Sequence, residues 1–263
     1  MNDPAPVHIQ VDDSFATVSL NRPDQHNAFN PDMVKALTSA FTNLSMRLDV
    51  RAIVLTGNGR SFCAGADLAS MRDAANFTYQ ENLDDAQGIV DLMAVVNDCP
   101  HPVIGRINGA AIGGGVGLVS GCDIAVAVSR AKFAFSEVRL GLVPAVISPF
   151  VIAKIGQSSA RELFLTGQRF DAHRAKEIGL VHYVVGETEL DAKIREILQM
   201  LQQSAPGAVR AAKRMIRDVS RNSYEEARIL AVRLIADRRV TDEGKEGTTA
   251  FLEKREPWWR RSE

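Results

Sequence analysis

Two glycine-rich segments are places where the backbone, rather than a side chain, could do chemistry. The first is residues 59–68, Gly-Arg-Ser-Phe-Cys-Ala-Gly-Ala-Asp-Leu, directly after a strand-like run. The second is residues 108–117, Asn-Gly-Ala-Ala-Ile-Gly-Gly-Gly-Val-Gly, which also follows such a run and opens a predicted helix. Successive glycines in a helix cost about 1 kcal/mol each relative to alanine. A chain keeps them where φ must be positive or where another group approaches the backbone closely.

The chemistry that suits such segments is the stabilisation of a developing negative charge. The first N–H groups of a helix have no intrahelical partner and carry a partial positive charge. One N–H group from each segment would form an oxyanion hole, in which removing one donor raises the barrier by about 2.7–4 kcal/mol. Two tight turns without chemistry would explain the glycines equally well, so other motifs have to decide.

Strands and helices alternate around these segments. Residues 7–11 and 15–20 predict a hairpin across Asp12-Asp13-Ser14, and Asn30 and Pro31 begin an amphipathic helix. Further strands are predicted at 52–56, 103–107, 123–128, 131–136 and 181–185, with a helix at about 83–97. From about residue 191 only helices are predicted, at 190–204, 206–220, 224–239 and 243–253. The pattern predicts an α/β fold with a core over residues 1–190 and a helical region over 191–263.

The composition argues against several classes of protein. The formal net charge is −1 over 263 residues, which favours neither nucleic acid nor an anionic membrane surface. Cys63, Cys99 and Cys122 are odd in number and lack C-x-x-C spacing, which favours a reducing compartment. With no apolar run of 18 residues and no signal-peptide pattern, we expect a cytoplasmic protein that does not enter membranes.

The motifs of several common enzyme classes are absent from the sequence. It contains no P-loop, no G-x-S-x-G, and no glycine fingerprint of a dinucleotide site, since the third glycine would fall on Leu118 or Ser120. The histidines show no zinc-ligand spacing. We therefore expect neither a metal nor covalent catalysis.

Together with three other motifs, the two glycine segments become recognisable. Residues 62–68 and 108–115 resemble the two signature loops of the crotonase (enoyl-CoA hydratase/isomerase) superfamily, in the expected order. Residues 20–28, Leu-Asn-Arg-Pro-x-x-x-Asn-Ala, resemble its substrate-loop motif, and residues 135–144 resemble its acid/base segment. Residues 246–255 resemble its closing helix. The resemblance spans about residues 10–256 and is greatest to methylglutaconyl-CoA hydratase-like members.

The resemblance implies an α/β fold of the crotonase type: a ββα spiral core with two sheets, followed by a C-terminal helical trimerisation region. It implies an acyl-CoA substrate, with coenzyme A as part of the substrate and no separate cofactor. The protein would form homotrimers, or hexamers that are dimers of trimers. The catalytic groups would be the backbone N–H groups of Ala66 and Gly114 and the carboxylate of Glu137. The residues implied to bind substrate and coenzyme A are His26, Ala64, Asp67, Leu68, Gly113, Phe251 and Lys254.

The reaction is less determined than the family. Well-known hydratases of the family carry two glutamates, and the first of these positions falls on Gly117 while the second falls on Glu137. One carboxylate suffices for a Δ3–Δ2 enoyl-CoA isomerase, because a single group can take a proton from one carbon and return it to another. The motif resemblance instead favours a hydratase of branched or carboxylated enoyl-CoAs such as 3-methylglutaconyl-CoA, which we rank first. Other carboxylates that could assist Glu137 are Asp67, Glu81 and Asp123.

Other interpretations stay open. Some relatives of methylglutaconyl-CoA hydratase bind RNA, and residues 206–221 carry five basic side chains: Arg210, Lys213, Arg214, Arg217 and Arg221. Near-neutral net charge and the lack of interleaved aromatic residues argue against nucleic acid as a partner. A structural trimer without turnover is disfavoured because both loops and Glu137 are intact. Arg139 could pair with a substrate carboxylate, although a structural role is favoured.

Overall fold

The computed structural model describes residues 5–260, and most strands of its larger sheet come from the first 128 residues. Within these residues the sheet has six strands in the order β1-β2-β3-β4-β6-β9. The strands are β1 (Val7–Asp12), β2 (Phe15–Leu20), β3 (Ala52–Gly57), β4 (Val103–Ile107), β6 (Ile124–Val128) and β9 (Tyr183–Val185). The first pair is antiparallel, which confirms the predicted hairpin, and every later pair is parallel. The carboxyl ends of β3 and β4 therefore lie side by side, and each leads into one of the glycine segments.

A second sheet connects the second glycine segment to the segment that carries Glu137. In the described chain it has three strands: β5 (Ala111–Ile112), β7 (Lys132–Ala134) and β8 (Arg169–Asp171). β5 pairs in parallel with β7, with Ile112 opposite Ala134. β7 was predicted as part of the longer strand-like run 131–136, whereas β5 and β8, with two and three residues, give no periodic signal.

The helices cover the sheets and end close to the predicted positions. They are α1 (Pro31–Ser45), α2 (Leu68–Ala74), α3 (Tyr79–Asn97), α4 (Gly114–Gly121), α5 (Ser148–Thr166) and α6 (Ala172–Glu177). The Asn30 side chain accepts a hydrogen bond from the Met33 N–H and caps α1, as predicted. The start predicted for α3 at residue 83 was wrong, since Thr78 and Glu81 form a capping box that begins it four residues earlier. α2, α5 and α6 were not predicted.

The C-terminal part of the chain is helical, as predicted. Its helices are α7 (Leu190–Gln202), α8 (Pro206–Arg221), α9 (Tyr224–Val240) and α10 (Asp242–Leu252). α7 packs on β6 and β4 through Ile194 and Ile197, so this helix belongs to the same apolar core as the sheet. The division at residue 190 stays a prediction. None of the described helices is both long and apolar enough to cross a bilayer.

α8 is fastened to the sheet by charged groups. Lys213 Nζ lies 2.7 Å from Asp123 Oδ2, and Arg217 lies 3.3 Å from Asp98. Two of the five basic side chains that could have suggested an RNA-binding face are therefore paired with acids of the core.

Candidate active site

Three short backbone pairings join the segments that carry the predicted site. Phe29 pairs with Ala66 and Cys63 pairs with Ala111, both as parallel bridges, and Ile112 pairs with Ala134 in the small sheet. Each pairing fixes one segment against the next by main-chain hydrogen bonds. The first loop, the second loop and the Glu137 segment are thereby brought to one place, although about 70 residues separate Ala66 from Glu137.

The glycines of both loops occupy positions where a side chain would collide with the opposite loop. A Cβ on Gly65 would lie 2.7 Å from the Ile112 carbonyl oxygen and 3.5 Å from the Gly114 nitrogen. A Cβ on Gly115 would lie 2.3 Å from the Cys63 carbonyl oxygen. The glycines therefore permit direct backbone contact between the loops, which answers the question that the sequence left open about their purpose.

The backbone N–H groups of Ala66 and Gly114 are both free. The Phe29–Ala66 bridge uses the Gly65 carbonyl and the Asp67 N–H, so the Ala66 N–H points to the opposite side. Gly114 is the first residue of α4, where the helix supplies no partner. Neither group donates a hydrogen bond to any other group within residues 5–260. Two unused donors on contacting loops are the groups that stabilisation of a negatively charged oxygen requires.

The Glu137 carboxyl group lies against the second loop. It begins a 3-10 turn over Glu137–Leu140, and a Cβ on Gly113 would stand only 2.8 Å from its Oε1 atom. Its Oε2 atom is buried and finds no hydrogen-bond partner in the described part of the chain. Burial raises the pKa of Glu137 above its ordinary value. A partly buried carboxylate without a cation beside it is a stronger base than one in water.

Apolar side chains fill the space beside Gly117, the position at which well-known hydratases carry their first glutamate. A Cβ on Gly117 would lie 2.5 Å from Ile147 Cγ2 and 3.0 Å from Met93 Sδ. Ile147 is 1% exposed and Met93 is 0% exposed. A carboxylate at this position is therefore absent in sequence and also excluded by packing.

The three carboxylates proposed to assist Glu137 are all engaged elsewhere. Asp67 lies 2.9 Å from Arg22 and caps α2 by accepting the Ala69 N–H. Glu81 is exposed and belongs to the capping box of α3. Asp123 accepts the Val103 N–H and pairs with Lys213.

The residues predicted to bind coenzyme A differ in their position relative to the two loops. His26 and Ala64 are adjacent, because the Ala64 N–H donates to the His26 carbonyl oxygen at 3.0 Å. Leu68 is 80% exposed beside Ala66, whereas the Asp67 side chain is turned inward to Arg22. Asp67 therefore offers a ligand no free carboxylate.

Phe251 and Lys254 lie apart from the site within this chain. Phe251 is 83% exposed at the end of α10, which packs on α9 and α8. Lys254 follows that helix and is exposed. Their contact with coenzyme A stays a prediction.

Two further side chains near the site have no catalytic geometry. Burial raises the pKa of the Cys63 thiol to about 12, so that it stays protonated and unreactive at neutral pH. Arg139 is exposed and packs beside Gly167, and its side chain forms no hydrogen bond or ion pair with residues 5–260. Glu137 is the acid that lies against the second loop with an unpartnered, buried carboxyl oxygen in the described part of the chain.

Known proteins resemble the chain over nearly all of its length. The family described as Enoyl-CoA hydratase/isomerase matches residues 10–262. A Mycobacterium tuberculosis protein named as a probable enoyl-CoA hydratase is 33% identical over 251 residues, which cover 95% of each protein. The crystal structure of an enoyl-CoA hydratase from Shewanella pealeana has a TM-score of 0.93 at 36% identity, covering 97% of this chain and 96% of that one. An enoyl-CoA hydratase/isomerase from Marinobacter aquaeolei has a TM-score of 0.92 at 34% identity, covering 97% and 99%.

Proposed function

Since the chain belongs to the enoyl-CoA hydratase/isomerase family, we propose that it adds water to the double bond of a 2-enoyl-CoA thioester. The observation that carries the proposal is the buried, unpartnered Oε2 of Glu137 beside the loop that holds Gly114. An acid without a structural partner at this place is available for proton transfer. The names of the relatives support hydration in particular.

In the proposed mechanism one carboxylate serves both halves of the addition. Glu137 takes a proton from water as the water oxygen bonds to the β-carbon of the substrate. The electrons move to the thioester oxygen, and the resulting enolate is held by the N–H groups of Ala66 and Gly114. Glu137 then returns the proton to the α-carbon, so that one water is added and the carboxylate is regenerated. The raised pKa of Glu137 strengthens it as the base of the first step.

A second candidate is a Δ3–Δ2 enoyl-CoA isomerase, and the packing around Gly117 favours it. Ile147 and Met93 present an apolar wall where a two-carboxylate hydratase would hold its water. An isomerase needs no bound water, because Glu137 alone would move a proton from the carbon next to the thioester to the far end of the double bond.

A panel of thioesters distinguishes the two reactions. Crotonyl-CoA, 3-methylglutaconyl-CoA and a 3-enoyl-CoA would be incubated with the protein and the products examined by mass spectrometry. Gain of one water identifies a hydratase, and unchanged mass with a displaced double bond identifies an isomerase. Preference for 3-methylglutaconyl-CoA would support the branched, carboxylated substrate that the motifs favour.

The role of Glu137 is tested by Glu137→Gln, with Glu196→Gln as a control on an exposed acid of α7. General acid–base groups contribute typically 10²–10⁴-fold. We expect the first variant to lose roughly that much turnover and the second to lose none. Turnover of Glu137→Gln near the wild-type rate would remove Glu137 from this role.

We also propose that the helical region assembles copies of the chain into trimers or hexamers. Large apolar side chains on α8 and α9 are more than half exposed: Ile216, Ile229, Val232, Ile235 and Val240. Light scattering coupled to size exclusion tests the mass, and a monomer at micromolar concentration would contradict the proposal. The expected cytoplasmic location stays a prediction.

A further inference from the structure

Two buried carboxamides, those of Asn27 and Asn108, fasten the turn formed by residues 57–62, which leads into the loop that carries Ala66. Both side chains donate to the Ser61 carbonyl oxygen, at 3.0 Å and 3.4 Å. Asn27 is 0% exposed and Asn108 is 8% exposed. Neither side chain has a role in the proposed proton transfer, so their position needs another explanation.

The Asn27 carboxamide joins the turn to the segment that precedes α1. Its Nδ2 also donates to the carbonyl oxygens of Asn58 at 2.9 Å and Phe62 at 3.2 Å. Its Oδ1 accepts the Arg22 N–H at 2.9 Å. Its backbone is left-handed, with φ of 57°, a conformation that asparagine tolerates better than most residues. Two residues later, Phe29 makes the backbone bonds to Gly65 and Asp67 on either side of Ala66.

The Asn108 carboxamide joins the same turn to the second loop. Its Nδ2 donates to the Gly59 carbonyl oxygen at 3.0 Å, and its Oδ1 accepts the Gly57 N–H at 3.2 Å. Asn108 begins the segment that reaches Gly114 six residues later. The adjoining backbone is tight, because a Cβ on Gly109 would lie 2.0 Å from the Arg60 carbonyl oxygen.

The requirement at both positions is for a side chain that donates and accepts at once. The turn directs the carbonyl oxygens of residues 58, 59, 61 and 62 toward these side chains, and the bonds to residues 61 and 62 are buried, where a carbonyl needs a donor. A carboxamide supplies two N–H donors and an acceptor oxygen. Aspartate has the same shape but would bring a second oxygen against the carbonyls.

We propose that Asn27 and Asn108 are positioning residues that fix the separation between the Ala66 and Gly114 amides, an inference that rests on the proposed function. The turn at residues 57–62 leads directly into the loop that carries Ala66. Asn27 ties this turn to the segment before α1, and Asn108 ties it to the loop that carries Gly114. A displacement of about 1 Å in such a site can cost roughly 100-fold in rate. Loss of either carboxamide therefore weakens the polarisation of the substrate carbonyl without removing a group that touches it.

The variants are Asn27→Asp, Asn27→Gly, Asn108→Asp and Asn108→Ser. Glycine at residue 27 keeps the left-handed backbone while it deletes the carboxamide. Serine at residue 108 keeps a smaller polar group if the aspartate variant does not fold. The control is Ile197→Ala, which removes a buried side chain of α7 that forms no part of either loop. All are assayed below the lowest thermal midpoint of the set.

The decisive readout is the carbonyl stretching frequency of bound butyryl-CoA labelled with carbon-13 at the thioester, because hydrogen bonds to this oxygen lower it. We expect each asparagine variant to show a smaller lowering than wild type, with kcat reduced roughly 10- to 100-fold and KM within about threefold. Ile197→Ala should keep the wild-type frequency and kcat despite its loss of thermal stability.

The outcomes separate this inference from the proposed function. If butyryl-CoA bound to wild type shows no lowering, the oxyanion hole itself is refuted. If wild type shows the lowering and the asparagine variants match it, the positioning role is overturned. The role is also overturned if Ile197→Ala reduces the lowering of the carbonyl frequency and the kcat as much as the asparagine variants do. General destabilisation would then explain the effects of all these variants.

Discussion

The Glu137 carboxyl group occupies the space that a side chain on residue 113 would need. A Cβ on Gly113 would stand 2.8 Å from Glu137 Oε1 and 3.5 Å from Cδ, and Gly113 has φ of 51°. The Gly113 N–H donates to the Ala134 carbonyl oxygen at 2.9 Å, and Ala134 precedes Glu137 by three residues. Glycine at residue 113 therefore allows both the positive φ and the close approach of the Glu137 carboxyl group.

Gly113→Ala should lower turnover by at least roughly 100-fold, because the new methyl group displaces the carboxyl group from the amides. The matched control is Gly156→Ala, since Gly156 has φ of 74° and a Cβ there would meet nothing within 4 Å. Both variants carry backbone strain, but only the first touches the acid. Steady-state kinetics of the two variants, compared at a temperature where both are folded, would check this. Equal losses of kcat in the two variants would show that backbone strain, and not displacement of the carboxyl group, is responsible.

Glu137→Gln should raise the free energy of unfolding at neutral pH, by at most about 1 kcal/mol because the carboxyl is only partly buried and solvent screens it. Burial raises the pKa of Glu137 in the folded protein above 4.5, so the folded state binds this proton more tightly than the unfolded state does. The stability of wild type relative to the variant therefore falls as pH rises from 4.5 through the folded pKa. Above that pH the difference is constant, and below about pH 4 the carboxylate charge no longer contributes to it.

Urea unfolding at a series of pH values measures this difference. Glu196→Gln, which alters an exposed carboxyl, should show no comparable gain at pH 7. A Glu137→Gln variant less stable than wild type at neutral pH would contradict the stated burial of the charge.

Arg22 and Asp67 should be coupled in stability. Their side chains are 19% and 10% exposed and lie 2.9 Å apart, and Arg22 also donates to the Ala28 carbonyl oxygen. We expect Asp67→Asn and Arg22→Met each to lower the free energy of unfolding by roughly 1–3 kcal/mol, with a double variant that loses less than the sum. The exposed pair Arg174–Glu177, at 40% and 66% exposure, should show coupling below about 0.5 kcal/mol. Equal coupling in the two pairs would refute the importance of burial.

Gly117→Glu alone should fail to add hydratase activity and should destabilise the protein by roughly 3 kcal/mol or more, because Ile147 and Met93 fill the space. Gly117→Glu combined with Ile147→Gly opens that space. Relative to Ile147→Gly alone, the double variant should hydrate crotonyl-CoA faster while its isomerisation of a 3-enoyl-CoA stays unchanged. No change in hydration would show that a carboxylate at residue 117 cannot hold water in this protein.

Patterns of residues close in sequence predicted many of the helices and strands that position the site. The contacts between these elements depend on residues far apart in sequence. The Asn30 cap, the hairpin and the four C-terminal helices follow from periodicity and capping residues near in sequence. The Thr78–Glu81 capping box is likewise formed by residues close in sequence, and it begins α3 at Tyr79 rather than at the predicted residue 83. α5 escaped prediction because the kink at Gly156, with φ of 74° and ψ of 164°, interrupts its pattern.

The details of the site depend on contacts that no local pattern contains. The sequence indicated that residue 117 lacks a carboxylate, but not that Ile147, 30 residues later, fills the gap. The ion pair that engages Asp67 and the carboxamides that meet at the Ser61 carbonyl likewise join segments 34 to 47 residues apart. Such partners are fixed by topology, which sequence motifs imply only through resemblance.

The bridge between Phe29 and Ala66 has a consequence for how this protein tolerates change. The donors that would hold the negative oxygen belong to the polypeptide chain itself, so exchanging the methyl group of residue 66 for any side chain except that of proline leaves both of them in place. A scan of substitutions should therefore show smaller losses of activity at residue 66 than at Gly65, where any Cβ would lie 2.7 Å from the Ile112 carbonyl oxygen. At this place the sequence determines the path of the backbone, and the two N–H donors are displaced only by substitutions that change that path.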